Sequence, residues 1–407
     1  MENIQSKSIV YFTVCNNAYL NRALVLAESL YYSNNVILKI YLFEKELPIL
    51  NDIKSNFYEL VLVKSIDFNR LGELAFKYDV VEFTTSLKPF IAIQLLNSFS
   101  KVVFLDPDVF VLGEFSDLEN MLDSEDVLLT SHFNTPESDN LEFPDLGLMR
   151  FGSFNLGFFA VNDSENGKAF LNWWNSRCLD QCFFETQFGI STDQKWITIA
   201  NAFFDFLFIL RDPGYNVAYW NLFERKISFK DGKYFSNGSQ IVFFHFSSFD
   251  TNNYNVITKR IELSSGLISE SLLELSYEYS LKLQYFSSAL KSIEKKYSYD
   301  YFSNGEFISP TLRRAYASVL IRFKDVGDPF LHTSSVYLFA KKNYLLTNSD
   351  KFDLYGYSKL EENKIFFYLC NKFLRITLLI LGPNKFFNLS RLFVYLSSFN
   401  RNKSLWK

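Results

Sequence analysis

The stretch best equipped for chemistry is Val102 to Leu112, VVFLDPDVFVL, where an apolar, β-branched run ends in two aspartates one residue apart. In an open α/β sheet, ligands bind outside the carboxyl ends of the strands, so Asp106 and Asp108 would set two carboxylates at such an edge. Two hard oxygen ligands suit Mg2+ or Mn2+, whose remaining positions diphosphate oxygens and water can fill. Taken alone, an Asp-x-Asp is as often a solvated turn, and its meaning depends on what surrounds it.

Those surroundings alternate in character. Ser8 to Val14 reads as a buried strand, Leu20 to Tyr32 repeats apolar residues at helical spacing, and Val36 to Phe43 returns to strand. Val61 to Ile66, Ser86 to Phe99 and Lys101 to Leu105 repeat the strand, helix, strand order, and the last strand delivers the two aspartates. Such alternation predicts an α/β domain with a largely parallel sheet. Val127 to Thr130, Phe158 to Val161 and Ile241 to Phe246 read as further strands, with a Trp-containing helix near Gly167 to Arg177. From Ile261 to Tyr285 the spacing is helical and strands become scarce, which places a boundary near residue 262. Between Tyr301 and Thr333, Asn304-Gly305, Pro310 and Asp328-Pro329 must interrupt the helices.

A phosphatase of the haloacid-dehalogenase type also ends an apolar strand in Asp-x-Asp. It wants Thr or Val two residues after the second Asp, where this chain has Phe110, and a later acidic motif for which Gly327-Asp328-Pro329 lacks the second acid. The chain instead resembles the retaining GT-A glycosyltransferases of glycosyltransferase family 8 over about residues 8 to 260. Thr13, Asn16 and Tyr19 look like the family's nucleotide-binding first loop. Lys88, in Thr84-Thr85-Ser86-Leu87-Lys88, falls where the family commonly has an Arg that touches donor phosphate and sugar, and it replaces a planar fork by a point charge. Asp106 and Asp108 match the metal-binding Asp-x-Asp, and His245 matches the third protein ligand. Asn155, in Phe154-Asn155-Leu156-Gly157-Phe158, is similar to the Asn that faces the donor sugar. Thr192-Asp193-Gln194 is similar to the element beside the reacting centre, although Asp193 also suits the N-cap of a helix from Lys195 to Phe204. After the His, the family's Gly and Lys are replaced by HFSSFDTNN, with Lys259 and Arg260 as substitutes on the phosphate side.

The resemblance implies transfer of a sugar, with retention, from a nucleotide diphosphate donor, in the first instance a UDP-sugar, with Mn2+ or Mg2+ as cofactor. The acceptor expected is a glycan or a lipid-linked one, in bacterial surface polysaccharide synthesis. A non-catalytic nucleotide- or carbohydrate-binding protein that keeps the fold is the alternative. The expected organisation is a GT-A domain over residues 1–262, a helical accessory region over 263–363 and a basic aromatic tail over 364–407.

Composition fits this picture. A chain of 407 residues holds about two or three folding units, and 48% hydrophobic against 21% charged residues excludes a disordered chain. Aromatics reach 18%, with 46 Phe and 24 Tyr, from a Phe-filled core or from contact with lipid. Four cysteines, Cys15, Cys178, Cys182 and Cys370, make no disulfide framework, and three His cannot complete a zinc cluster. Cys178 and Cys182 lie one helical turn apart among aromatics and read as core. Met1 to Lys7 and the short apolar run after it do not read as a signal peptide, so a reduced cytosolic setting is expected.

The net charge of -4 argues against nucleic acid, but it divides into +8 over residues 364–407 and -12 over the rest. Lys364, Lys372, Arg375, Lys385, Arg391, Arg401, Lys403 and Lys407 stand among Phe, Leu, Ile and Tyr with no acid. Basic charge mixed with aromatics suits an anionic membrane surface, and the longest uncharged run, Ile376 to Asn384, is too short to span. The expected location is cytoplasmic, peripheral at the inner face of the plasma membrane. A helical hairpin packed on the second domain is the alternative for the tail.

Overall fold

The computed structural model describes residues 9–50, 53, 56–136, 145–323, 327–347 and 364–397. The readings placed on Met1 to Lys7 and on Arg401, Lys403 and Lys407 lie outside these. Contacts divide the chain into two compact units, residues 1–68 with 80–298, and residues 69–79 with 299–407.

In the first unit, β1 (Ile9–Cys15), α1 (Leu20–Asn34), β2 (Leu38–Leu42) and β3 (Tyr58–Leu62) open the chain. Helix α1 stops where Asn35 turns left-handed at φ 53, a conformation that Asn tolerates better than most residues. Helices α3 (Val80–Ser86) and α4 (Lys88–Leu96) lead to β4 (Lys101–Leu105) and β5 (Val109–Val111). Next come α5 (Ser116–Met121), β6 (Val127–Ser131), α6 (Asp145–Phe151), β7 (Phe154–Asn162) and α7 (Glu165–Gln181), the last capped by Ser164 accepting from the Gly167 amide. The main sheet runs Leu207–Ile209, β6, β7, β4, β1, β2, β3. Only β7 is antiparallel, to both β4 and β6, so the sheet is as parallel as the alternation predicts.

Its interior accounts for much of the aromatic excess. Phe12, Phe104 and Phe159 lie on neighbouring strands with ring centres 5.1–6.1 Å apart, and Trp174 of α7 meets Phe159 edge-on at 5.0 Å. Cys178 and Cys182 are free thiols buried in the same layer. Where the sequence suggests a boundary near residue 262, this unit runs on to Ser298, because the helix Glu270–Ala289 packs on α1 and on the strand Ile227–Lys230. Tyr279 of that helix stacks on Phe246 at 4.1 Å, just beyond His245.

The second unit gathers α2 (Leu71–Lys77) with the helix Pro310–Ser318. Buried Arg313 joins them: its guanidinium donates to the carbonyls of Ala75, Phe76, Tyr78 and Tyr299 and to the Asp300 carboxylate, at 2.7–3.0 Å. It thereby satisfies the carbonyls at the C-terminal end of α2. The sequence gives no hint that residues 69–79 leave the first unit, since both partners of this pin look like ordinary helices.

The chain's last described element spans Lys364–Ser397 and is broken at Gly382, whose φ of 73 is non-helical, with Pro383 next. Lys364–Tyr395 is long and apolar enough, by length and composition, to cross a membrane, which corrects the expectation that the tail is too short to span. Lys372 and Arg375 divide the apolar sequence into short uncharged runs but do not end the helix. No residue of the window is buried, so within the described residues no packed hairpin covers it.

Candidate active site

The tip of β4 builds the centre of the site. Beyond Leu105 the chain turns through Asp106-Pro107-Asp108, with the Val109 amide donating to the Asp106 carbonyl at 3.1 Å. Proline suits the second position of such a turn, because its fixed φ is the one required. The Asp106 amide donates to the Gly157 carbonyl at 2.8 Å, which ties the turn to β7. On the far side β5 pairs with Phe243–His245, placing His245 opposite Val109, and the Phe246 amide donates to the Asp108 carbonyl at 2.9 Å. Register alone therefore brings together residues more than 130 positions apart in the sequence.

The His245 Nε2 atom lies 3.1 Å from Asp108 Oδ1 and 3.8 Å from Asp106 Oδ2. One ligand atom from each residue falls within 4.8 Å of the others, so the three expected ligands do converge. Burial pulls the His245 pKa down, but the Asp108 and Asp106 carboxylates outweigh it and raise it overall. Burial pushes Asp108 up and His245 outweighs that, leaving the carboxyl below its ordinary range. Two carboxylates facing one imidazole nitrogen are a donor set that a divalent cation fits. Gly157 makes room for the imidazole ring: a Cβ there would sit 2.7 Å from His245 Nδ1 and 2.8 Å from Asn155 Oδ1.

Lys88 closes the other side. Its buried ammonium donates to Asp106 Oδ1 at 3.1 Å and to the Leu156 carbonyl at 3.0 Å, and lies 3.4 Å from Asp193 Oδ2 and 4.4 Å from the Phe104 ring centre. Two of its hydrogens are thus bonded within the protein, and Asp193 faces the ammonium as an ion pair without a formed hydrogen bond. Burial alone would lower its pKa, yet Asp106 and Asp193 raise it, so it stays charged. Asp193 stands at the N-cap position of the short α-helix Gln194–Ile197, but its side chain makes no capping hydrogen bond and turns instead to Lys88 and to the Thr192 hydroxyl at 3.1 Å. Burial holds that carboxyl above its ordinary pKa, against the pull of Lys88. Gln194 bridges two elements, donating to the Phe151 carbonyl at 3.1 Å and accepting from the Leu156 amide at 3.3 Å.

These residues border a cavity of about 790 Å³, lined among others by Asn16, Tyr19, Lys88, Asp106, Asp108, Asn155, Gln194, His245 and Arg260. Thr13 and Lys259 are not brought to it. Thr13 points into the core from β1, and Lys259 pairs with Asp250 at 3.0 Å on the surface. Asp193 stands behind the wall formed by Ser191, Thr192 and Gln194.

The family described as "Glycosyl transferase family 8" matches residues 10–246, more than half of the 407 and including every metal-site residue. The chain belongs to glycosyltransferase family 8. This family 8 glycosyltransferase is 27% identical over 254 residues to the protein YfnF of Bacillus subtilis (strain 168), covering 61% of this chain and 84% of YfnF. It is 24% identical over 173 residues to YfnD of the same organism, covering 41% of this chain and 54% of YfnD. Among solved structures it is similar to the galactosyltransferase LgtC in complex with donor and acceptor sugar analogues, at 11% identity and TM-score 0.41, covering 70% of this chain and 98% of that one. The glycosyltransferase GlyE of Streptococcus pneumoniae TIGR4 gives 18% identity and TM-score 0.40, covering 70% of this chain and 64% of that one.

Several residues of the glycosyltransferase site escape sequence reasoning. His132 and Trp220 line the cavity, and Trp220 meets His245 edge-on at 5.1 Å between ring centres. Asn155 Nδ2 donates to His132 Nε2 at 3.5 Å, and His132 Nδ1 donates to the Ser153 carbonyl at 3.3 Å. Burial lowers the pKa of His132 to about 4. Asn216 and Asn221 are buried between these groups. Only the rarity of His in this chain marked His132 out, and nothing in a lone Asn marks a site.

Proposed function

We propose that this glycosyltransferase transfers a sugar, with retention of anomeric configuration, from a nucleotide diphosphate donor, in the first instance a UDP-sugar, in a reaction that depends on Mn2+ or Mg2+. The observation that carries the reading is the convergence of Asp106, Asp108 and His245 on one wall of the cavity. These three residues would hold the ion, which when bound stabilises the negative charge that grows on the departing diphosphate. Lys88 holds the Asp106 carboxylate in place and adds positive charge behind it. Tyr19, half exposed at the rim, offers a face for a base, and Arg260, held by Ser248 at 2.9 Å, offers a guanidinium for phosphate. Gln194 and Asn155 are fixed by their hydrogen bonds where a donor sugar would lie. On the front-face route expected for the family, the leaving phosphate takes the acceptor's proton, and Asp193 acts through Lys88 and the pocket wall.

The acceptor we infer is a glycan or lipid-linked glycan in bacterial surface polysaccharide synthesis, reached from the cytoplasmic face of the membrane. Val80, Val81, Leu148, Phe151 and Phe184 give the cavity an apolar side suited to such an acceptor. In the helix before the Gly382 break, Lys364, Lys372 and Arg375 recur at i, i+8 and i+11, which gathers the charges on one stripe of an otherwise apolar, exposed surface. A segment of that kind lies in the headgroup layer with its charges toward anionic lipid. Lys372 and Arg375 would stand near the middle of a spanning helix, where each costs about 3 kcal/mol, so the interfacial placement is favoured. Release of UDP from a panel of UDP-sugars with Mn2+ tests the activity; a panel in which no donor is turned over, with or without acceptor extract, would overturn it. For the tail, K372E/R375E in the full chain should lose binding to anionic vesicles, and equal co-sedimentation would reject the membrane role.

A further inference from the structure

We propose that Asn216 is a positioning residue that holds the His245 imidazole with its Nδ1 hydrogen engaged, leaving Nε2 to face the metal. The inference rests on the metal reading of Asp106, Asp108 and His245, and it assigns a role to a residue that touches neither carboxylate.

The Gly157 amide fixes the polarity of this network. A backbone amide can only donate, and the Gly157 amide lies 3.1 Å from Asn155 Oδ1, so that end of the Asn155 amide is the oxygen. Asn216 turns its amide nitrogen to the same oxygen at 3.1 Å and to the Thr130 hydroxyl at 2.7 Å. The other end of the Asn216 amide is therefore its oxygen, and it lies 3.3 Å from His245 Nδ1. An amide oxygen only accepts, so Nδ1 carries a hydrogen. A neutral imidazole with Nδ1 protonated keeps its lone pair on Nε2, the atom found 3.1 Å from Asp108 and 3.8 Å from Asp106. Metal-ligating histidines commonly donate their other ring hydrogen to a fixed acceptor in this manner, which sets both tautomer and ring orientation.

Asn216 is built into its place. It is fully buried and adopts φ 52, a left-handed conformation that Asn visits more readily than most residues. Asn221 Nδ2 donates to the Asn216 carbonyl and to the His132 carbonyl, both at 3.0 Å, while Asn221 Oδ1 accepts from the Ala218 amide at 2.9 Å. The strand Val217–Ala218 pairs in parallel with Phe243–His245, with Val217 opposite Phe244 and Ala218 opposite His245. Asn216 thus enters the site from the strand next to its partner histidine, and its orientation is dictated from the backbone of β7 through Asn155. Nothing in this chain of bonds depends on a solvent-exposed group.

The test compares the full-length wild type with Asn216→Gly, which relieves the left-handed backbone while removing the side chain, and with Asn216→Asp, which keeps an acceptor toward Nδ1. Titration calorimetry with Mn2+ should give a 10- to 100-fold weaker affinity for Asn216→Gly, the range typical of lost outer contacts to a metal ligand, and a change of only a few-fold for Asn216→Asp. With imidazole-15N histidine and Mg2+, the three histidines of the chain give a spectrum simple enough to assign through His132→Gln and His332→Gln. A protected Nδ1 hydrogen on His245 should be present in wild type and Asn216→Asp and absent in Asn216→Gly. Equal Mn2+ affinity in wild type and Asn216→Gly, or no Nδ1 hydrogen on His245 in the Mg2+-loaded wild type, would overturn the proposal. Should Asn216→Gly not fold, the wild-type spectrum and the Asp variant decide it alone. A wild type that binds no divalent ion would overturn the metal reading itself, a result separable from the others because it does not involve Asn216.

Discussion

Replacing Lys88 by Met would remove a charge that three groups share while keeping most of the side chain's volume. The ammonium has a side-chain exposure of 3% and stands between Asp106 and Asp193, the latter equally buried at 3%. Without it Asp193 keeps only the Thr192 hydroxyl and must either remain ionised and unpaired or take up a proton. Protonation sets the upper limit of the cost: each pH unit above the ordinary carboxyl pKa of about 3.9 requires about 1.4 kcal/mol, so about 4 kcal/mol at pH 7 and about 1.5 kcal/mol at pH 5. That limit agrees with the roughly 3–5 kcal/mol typical of breaking a buried pair from one side. The sign follows from burial, which raises the folded-state pKa of Asp193 above its unfolded value. In the variant the folded state therefore holds the extra proton, and its stability falls as pH rises from about 4 toward the new folded pKa. Lys88→Met/Asp193→Asn removes both charges and should recover all but about 1–2 kcal/mol of the loss, with little remaining pH dependence. Urea unfolding of wild type, single and double variants at pH 5 and pH 7 measures this. A Lys88→Met penalty below 1 kcal/mol at pH 7, or a penalty that Asp193→Asn fails to relieve, would refute the picture of Lys88 as the tie between two carboxylates.

Gly157→Ala should displace the His245 ring, because the added Cβ would lie 2.7 Å from Nδ1; Mn2+ affinity by calorimetry is expected to fall at least about 10-fold with a stability loss of about 1–3 kcal/mol, and unchanged affinity would contradict the close packing. Neutral His132, with a folded pKa of about 4, leaves the unfolded chain to bind the extra proton below about 6.5, so stability present above pH 6.5 is lost as pH falls toward 4, by about 3 kcal/mol in all. His132→Gln should flatten the urea-derived stability profile by that amount over the same range, and an unaltered profile would mean that His132 is not held neutral.

The main sheet was largely legible in the sequence because its strands are buried, apolar and separated by helical spacing. Lys101–Leu105 and the helix from Leu20 stand close to where their patterns place them. Asp106 and Asp108 were legible for the same reason, as polar residues at the end of such a strand. His245 needed the family's order of motifs, since its partnership with Asp108 arises from strand register between distant segments. Asn216 and His132 were not legible, because a polar side chain inside the protein looks in sequence like one in a loop. Thr13 and Lys259 failed to reach the cavity for opposite reasons: β1 turns Thr13 inward, and Asp250 captures Lys259 outside. The end of the first unit near Ser298, rather than near residue 262, was hidden because a helix docking on α1 has the same periodicity as one that begins a new domain.

The central claim is that Asp106, Asp108 and His245 form a divalent-metal site for a nucleotide diphosphate. Titration calorimetry of UDP into the full chain, with Mn2+ and with EDTA, tests it most directly. The account predicts binding that appears only with Mn2+ and is lost in Asp108→Ala, while the variant stays folded by circular dichroism. UDP affinity that is the same with and without metal, or the same in Asp108→Ala as in the wild type, would contradict it.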